Sequence, residues 1–153
     1  MFVKTLLIGA LITSAGLLAA AAPSPAASDG TVRFRSAYPM EETIDRLKQD
    51  IASKGITFFA AIEQSKLAGE LRPSTLLIFG NPALGAQFIT SNPVAGLDWP
   101  VRLLVFQDDK GAVWTAYTDF QWIAHRHQIT NRDAAFSKAS EVIVSITSSI
   151  KAQ

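Results

Sequence analysis

The two histidines of the chain, His125 and His127, are the first residues to examine for chemistry, because imidazole nitrogens bind metal ions and move protons near neutral pH. Their i, i+2 spacing suits a shared metal ion on a strand. On a helix, the pattern of the segment from Asp119 to His127, the two side chains diverge by about 200°. We therefore predict no chelating pair. His127 is either a histidine beside the terminal carbonyls of a helix or a residue that contacts a ligand.

Three further polar residues stand at predicted element boundaries. Gly80-Asn81-Pro82 joins a strand to a helix, so Asn81 either caps that helix or lies beside amides that hold an anion. Arg72 precedes the same strand, as a solvated charge, a salt-bridge partner or a contact for a carboxylate or phosphate. Tyr117 lies on a predicted hairpin, which brings its hydroxyl near the turn at Asp119.

Several classes of chemistry are disfavoured by what the sequence lacks. The chain has no cysteine, which excludes disulfides, thiolate metal sites, a lipobox and a cysteine nucleophile. It shows no nucleophile elbow and no HExxH motif, and no pattern marks a pair of carboxylates for acid–base catalysis. An enzyme with standard hydrolase machinery is therefore disfavoured, and no metal ligands are assigned. With 14 Lys and Arg against 13 Asp and Glu, we expect no binding to nucleic acid. The sequence names no cofactor and no reaction.

The N-terminus has the layout of a secretory signal peptide. Lys4 is followed by an uncharged apolar run from Thr5 to Ala22 that ends in alanines. We predict a signal peptide over residues 1–22, cleaved between residues 21 and 26, then a flexible leader over 23–30 and a domain over 31–153. The predicted destination is the bacterial periplasm. An uncleaved membrane anchor is the main alternative, and a buried helix is a third.

The remaining sequence alternates apolar strands with helices. Residues Met40, Ile44, Leu47 and Ile51 form one helical stripe, and Gly55 follows as a C-terminal cap. The predicted strands cover residues 31–37, 56–62, 74–79, 101–107 and 112–118, the second of them as a buried strand. Further helices are predicted over residues 82–92, from 119 to 127, and from 130 onward.

These elements predict a single compact α+β domain, with an antiparallel or mixed sheet of about five strands and helices mainly on one face. The last helix is expected to open at Thr130, whose hydroxyl forms a capping box with Asp133. Trp99, Trp114 and Trp122 are expected to pack in the core and at its rim, and an aromatic-lined pocket is the alternative.

Three stretches of the chain together resemble the DUF302 family, a domain of unknown function. They are 42–56, beginning Glu-Thr-Ile-Asp-Arg-Leu; 71–82, Leu-Arg-Pro-Ser-Thr-Leu-Leu-Ile-Phe-Gly-Asn-Pro; and 97–127, from Leu-Asp-Trp-Pro to Arg-His. The resemblance implies a compact α+β domain that is often dimeric and often exported or attached to other modules.

The chain departs from the family pattern at two places. The resemblance implies an aspartate-histidine pair where this chain has Glu63-Gln64, and a lysine near position 83, where it has Ala83-Leu84. If the family uses that histidine as a ligand or base, this member lacks it.

The leading hypothesis is an exported, non-catalytic module that binds a small molecule or a protein partner. We expect Gln64, Arg72, Asn81, Tyr117 and His127 to line one depression. The alternative is a metal or redox accessory protein, or an enzyme, that uses His127 with Asn81 and Tyr117. A homodimer is a third possibility, and contact with a membrane is expected only if the leader is uncleaved.

Overall fold

Five antiparallel strands form one sheet in the computed structural model, which describes residues 29–152. The strand order is β1-β5-β4-β3-β2. The bounds are Thr31–Arg35 (β1), Thr57–Glu63 (β2), Ser74–Gly80 (β3), Val101–Gln107 (β4) and Val113–Thr118 (β5). The predicted signal peptide over residues 1–22 and most of the predicted leader lie outside this range.

Helices cover one face of this sheet. Those in the described residues are Met40–Ser53 (α1), Pro82–Ser91 (α2), Phe120–Arg126 (α3) and Asp133–Ser148 (α4), with short 3-10 helices at Gln64–Lys66 and Pro93–Leu97. The expected α+β class, with about five strands and helices on one face, is confirmed. No helix in residues 29–152 combines the length and apolar character needed to cross a bilayer.

The core lies between the helices and every second residue of the central strands. In β5, Val113, Thr115 and Tyr117 are buried while the residues between them are not, which is the alternation of a sheet covered on one side. The helical stripe predicted in α1 meets this face, where Leu47 and Ile51 have no exposed surface. Burying a side chain of this kind stabilises the fold by about 1.5–3 kcal/mol.

Helix ends follow the local sequence at several positions. The side chains of Asn81 and Asp119 accept hydrogen bonds from backbone amides of the first turns of α2 and α3. Gly55 follows α1 with φ +64°, the left-handed conformation of a helix-ending glycine. Gln128 ends α3 in the same conformation, with φ +53°.

The predicted start of α4 at Thr130 is wrong. The helix begins at Asp133, and Arg132 stands at the cap without a side-chain hydrogen bond. Contacts of residues 129–131 with other parts of the chain explain why the helix begins later than predicted. Ile129 is buried in the core, and the side chain of Asn131 accepts a 2.6 Å hydrogen bond from Ser91, so this segment is held as a loop between α2 and α4.

The prediction of a buried second strand is also wrong. β2 stands at the edge of the sheet with β3 as its one neighbour, and Phe58, Phe59 and Ile62 are 38%, 50% and 40% exposed. A β-bulge between Phe58 and Ala60 interrupts its pairing with β3. An apolar run does not by itself distinguish a central strand from an edge strand.

Candidate functional site

A cleft of about 730 Å³ opens between α2, α4 and the carboxyl end of β3. Its walls are mostly aliphatic and aromatic, and they include Phe79, Leu84, Phe88, Trp99, Phe120 and Val142. Polar side chains border it, among them Lys54, Asn81, Gln87, Lys138 and Glu141. Lys138 and Glu141 pair with each other at 3.2 Å, so part of this border carries both signs of charge.

Trp99 forms one wall of the cleft because two glycines let its indole lie against the backbone. A Cβ at Gly80, the last residue of β3, would overlap the six-membered part of the ring. A Cβ at Gly85, in the second turn of α2, would overlap the ring from the other element. Strand and helix therefore approach each other with the indole between them.

Asn81 borders the cleft, but its side chain is already engaged. Its Oδ1 accepts hydrogen bonds from the backbone amides of Ala83 at 2.9 Å and Leu84 at 3.1 Å. The first turn of α2 begins with Pro82, which has no amide hydrogen. Of the two alternatives for Asn81, the structure shows the helix cap, and the two amides that an anion would need are bound by the cap itself.

Asp98, next to Trp99 in the chain, is the buried centre of a charge cluster whose two arginines are about half exposed. Its side chain is 3% exposed and that of His127 is 5% exposed, and Oδ2 of Asp98 lies 2.6 Å from Nε2 of His127. Because an ionised carboxylate only accepts hydrogen bonds, the hydrogen of this bond is on Nε2. Arg102 approaches Oδ1 at 3.0 Å and Arg126 approaches Oδ2 at 3.3 Å.

The end of α3 positions two members of this cluster. Arg126 is the last residue of the helix and His127 its C-terminal cap. The carbonyl of His127 accepts a 2.9 Å hydrogen bond from Nδ2 of Asn92, which joins the end of α3 to the end of α2. His125 is exposed and points away from the buried His127, as the predicted divergence requires.

The members of this cluster are engaged with one another. His127 has almost no exposed surface, and both oxygens of Asp98 are taken by cationic or imidazole donors. Asp98 directly precedes Trp99, so fixing the carboxylate also fixes the start of the wall that faces the cleft. Among residues 29–152, no group of three or more histidines and carboxylates is arranged to hold a metal ion.

Gln64 and Arg72 lie at the opposite end of the sheet. Ser74, the first residue of β3, donates a 3.1 Å hydrogen bond to Oε1 of Gln64, whereas Asn81 follows the last residue of the same strand. The length of β3 separates these ends by about 20 Å. Arg72 forms a 3.0 Å ion pair with Asp109, whose side chain is 97% exposed.

Tyr117 lies on β5 within the core face of the sheet and does not line the cleft. Burial, reinforced by the negative charge of Asp119, raises the pKa of its hydroxyl to about 12. This interaction with Asp119 agrees with the predicted position of the Tyr117 hydroxyl near the turn at Asp119.

The five predicted residues therefore do not share one depression. Asn81 borders the cleft, His127 and Tyr117 are buried beside the core at the same end of the sheet, and Gln64 and Arg72 are at the far end. Whether each contacts a ligand stays a prediction. Sequence reasoning missed Asp98 as a site residue, and it placed Trp99 at a site only under the alternative of an aromatic-lined pocket. A lone aspartate before a tryptophan and a strand, with an arginine four residues on, was the available signal.

A family model described as "Domain of unknown function DUF302" matches residues 32–152. The chain belongs to the DUF302 family. A DUF302 protein from Bacillus stearothermophilus, uncharacterized and known from its crystal structure, has the same fold, with a TM-score of 0.72, 16% identity, and coverage of 79% of this chain and 98% of that chain. At this identity the likeness concerns the fold.

Longer relatives also contain a segment similar to this DUF302 domain. The fluoride-specific ion channel FluC 1 of Brucella suis is 35% identical over 104 residues, which are 65% of this chain and 41% of that protein. FluC 1 of Brucella abortus and FluC 2 of Brucella melitensis give the same identity over 104 residues and 38% of their length. The chain thus spans about two fifths of the length of the curated relatives it matches.

Proposed function

We propose that this DUF302 domain is an exported, non-catalytic binding module of the bacterial periplasm that takes a small apolar ligand in the cleft beside Trp99. The cleft carries the proposal. Its volume of about 730 Å³ falls in the range of about 300–1,000 Å³ usual for small-molecule sites. The signal-like segment from Thr5 to Ala22 supports export.

The lining indicates the kind of ligand. Leu84, Trp99 and Val142 offer an apolar surface with one aromatic face, which suits an aliphatic or aromatic body. Gln87 and the paired Lys138 and Glu141 stand at the border, where both signs of charge are present. A ligand with an apolar body and one polar end satisfies both parts of the cleft.

The engagement of the polar residues favours binding over catalysis. His127 is held by Asp98, and the side chain of Asn81 is held by the first turn of α2. Neither residue presents a free base toward the cleft. For this reason we favour the binding module over an enzyme or a metal or redox accessory protein built on His127 with Asn81 and Tyr117.

Native mass spectrometry of the protein, purified from its own compartment without detergent or chelator, tests the proposal. We expect a mature chain cleaved between residues 21 and 26 that carries an added small-molecule mass. An intact N-terminus would contradict release into the periplasm, and a chain without any added mass would contradict the ligand.

Two variants on α2 locate the ligand. Ala83 lines the cleft, while Ala86 is exposed on the same helix and does not. We expect Ala83→Trp to fill the cleft and lower the bound fraction at least tenfold, and Ala86→Trp to leave it unchanged. Full occupancy in Ala83→Trp, with its folding verified by circular dichroism, would place the ligand elsewhere.

A protein partner is the second candidate, and the curated relatives favour one class. In those relatives a segment similar to this domain is part of a longer chain named a fluoride-specific ion channel. Domains that occur in one chain in some organisms often associate as separate chains in others. We infer that a channel protein of the membrane is the partner to test.

Co-expression of the tagged domain with a fluoride channel from the same organism is the measurement. We expect the channel to be retained with the domain after solubilisation in mild detergent. Retention equal to that of an unrelated membrane protein would contradict this candidate and leave the small-ligand proposal untouched.

A further inference from the structure

The 3-10 helix Pro93–Leu97 presents two apolar side chains to solvent at the end of the sheet where β4 begins. Val94 is 57% exposed and Leu97 is 63% exposed, whereas Ala95 between them is buried. Residues three apart in a 3-10 helix lie above one another, so these two side chains share one outward surface. Single exposed apolar residues are common on proteins, so the surroundings of this pair decide what it can bind.

Two half-exposed arginines stand beside the apolar pair. Nη2 of Arg102 donates hydrogen bonds to the carbonyl of Leu97 at 2.9 Å and to Oδ1 of Asp98 at 3.0 Å. Nη1 of Arg126 reaches the same Oδ1 at 3.4 Å. The side chains of Arg102 and Arg126 are 49% and 45% exposed. We call the surface formed by Val94, Leu97, Arg102 and Arg126 the basic corner.

The basic corner carries more positive than negative charge. Its two guanidinium groups share one carboxylate, that of Asp98, whose side chain is 3% exposed. Within residues 29–152, Asp98 and Leu97 accept every hydrogen bond that these groups donate, and they engage only Nη2 of Arg102 and Nη1 of Arg126. The Nε and the second Nη of each group remain to bind a further acceptor, and a phosphate offers two oxygens to such a pair of donors.

The sequence around the basic corner contains few acids to oppose these charges. Residues 91–107 contain no acidic residue besides Asp98, and residues 120–132 contain none. Asp119 precedes α3 and caps its first turn, whereas Arg126 is the last residue of that helix. The length of α3 separates the two by about 10 Å. The basic corner is therefore complementary to a negatively charged partner.

The shape of this region fits a surface better than a small molecule. The depression beside Arg102, lined by Asp98, Val101 and Phe120 among others, holds about 10 Å³, which is room for about one water molecule. A ligand with a body of its own does not fit there. The exposed Val94 and Leu97 instead offer two apolar side chains next to two cations.

We propose that the basic corner binds the surface of a membrane that contains anionic phospholipids. Val94 and Leu97 enter the interfacial layer, and the free guanidinium nitrogens of Arg102 and Arg126 bind lipid phosphates. Burial of apolar side chains and attraction to anionic lipids both contribute to binding of this kind. The contact does not involve the leader, so a chain released by cleavage makes it as well.

Co-sedimentation of the mature protein with vesicles tests the charge requirement. At 0.1 M NaCl we expect binding to vesicles of equal parts phosphatidylglycerol and phosphatidylcholine, and at least tenfold weaker binding to phosphatidylcholine alone. In 1 M NaCl the binding should also fall, because electrostatic attraction then reaches about 3 Å instead of about 10 Å. Equal binding to both kinds of vesicle would overturn the proposal. Release by 10 mM inorganic phosphate at constant ionic strength would do the same, because it would show a site for a free anion.

A pair of leucine variants tests the apolar requirement. Leu67 is 77% exposed and follows the 3-10 helix Gln64–Lys66 at the opposite end of the sheet, so it is the matched control for Leu97. We expect Leu97→Ser to bind the phosphatidylglycerol vesicles about tenfold more weakly and Leu67→Ser to bind them as the parent does. The two variants have the same N-terminus, so any contribution of the leader is equal in both. Equal binding of the two variants would overturn the proposal.

A fluorescent label provides a second readout that does not depend on the serine variants. The chain has no cysteine, so a single introduced thiol carries the label at one position. An environment-sensitive fluorophore on Leu97→Cys should shift its emission to the blue when the phosphatidylglycerol vesicles are added, and the same label on Leu67→Cys should not. An unchanged emission at position 97 would show that this helix does not enter the membrane interface, and the proposal would fail.

Discussion

At the residue scale, one carboxylate organises the end of the sheet that holds the cleft. Asp98 receives His127, Arg102 and Arg126, and its own side chain is 3% exposed. The donors lie up to 29 residues away in sequence, on β4 and at the end of α3. Such a cluster is not visible in a local pattern, which explains why the sequence indicated His127 but not its partner.

Replacing the Asp98 carboxylate tests how much it contributes to the stability of the fold. We expect Asp98→Asn to lower the free energy of unfolding by about 2–3 kcal/mol, because a buried imidazole and two guanidinium groups lose their charged acceptor. Urea denaturation followed by circular dichroism measures this change.

Asp109→Asn is the control for that measurement. Asp109 also pairs with an arginine, Arg72, but its side chain is 97% exposed, so its loss should change stability by less than about 0.5 kcal/mol. Equal effects of the two substitutions would show that Asp98 has no special structural role.

At the element scale, β3 and α2 pack against the two sides of the Trp99 indole, which lines the cleft. Gly80 ends the strand, Gly85 lies in the helix, and the indole of Trp99 fills the space that their missing side chains leave. The helix and strand were predictable from their periodicity and from Asn81-Pro82 at the boundary. That Trp99 packs between them was not, because nothing in the spacing of these residues indicates the contact.

Because Gly85 packs against Trp99, we expect Gly85→Ala to destabilise the protein, the opposite of the usual effect in a helix. Alanine in a helix interior is normally favoured over glycine by about 1 kcal/mol, but the added methyl would collide with the indole of Trp99. We expect a net loss of about 1–3 kcal/mol on thermal unfolding, with a shift in tryptophan fluorescence.

Gly96→Ala is the matched control, since a Cβ at Gly96 meets no atom within 4 Å. Its effect should stay within about 0.5 kcal/mol. A Gly85→Ala protein as stable as the parent would mean that Trp99 moves away at no cost.

Sequence patterns predicted the positions of helices and strands more accurately than their burial and their contacts with other elements. The strand over residues 101–107 and the helix beginning at Pro82 match the structure. The predictions that β2 is buried and that α4 begins at Thr130, three residues before its observed start, are wrong. Burial and loop contacts depend on which elements become neighbours in the fold. Ile129 and Asn131 are held by residues from other elements, which no local propensity contains.

At the scale of the whole molecule, the sheet has two unlike sides. The cleft lies on the helical side, and no helix of residues 29–152 packs on the other. The expectation that the five candidate residues line a single depression fails at this scale. Gln64 contacts Ser74 at the start of β3, whereas Asn81 follows the end of the same strand, so the length of β3 separates them.

The bulge in β2 has a consequence for the fate of the protein at high concentration. β2 has an unpaired edge next to Phe58 and Phe59, the kind of strand on which a strand from another molecule adds and fibrils grow. The extra residue between Phe58 and Ala60 breaks the regular row of amides and carbonyls that an incoming strand would need. The bulge therefore disfavours the addition of a strand from another molecule at this edge of the sheet.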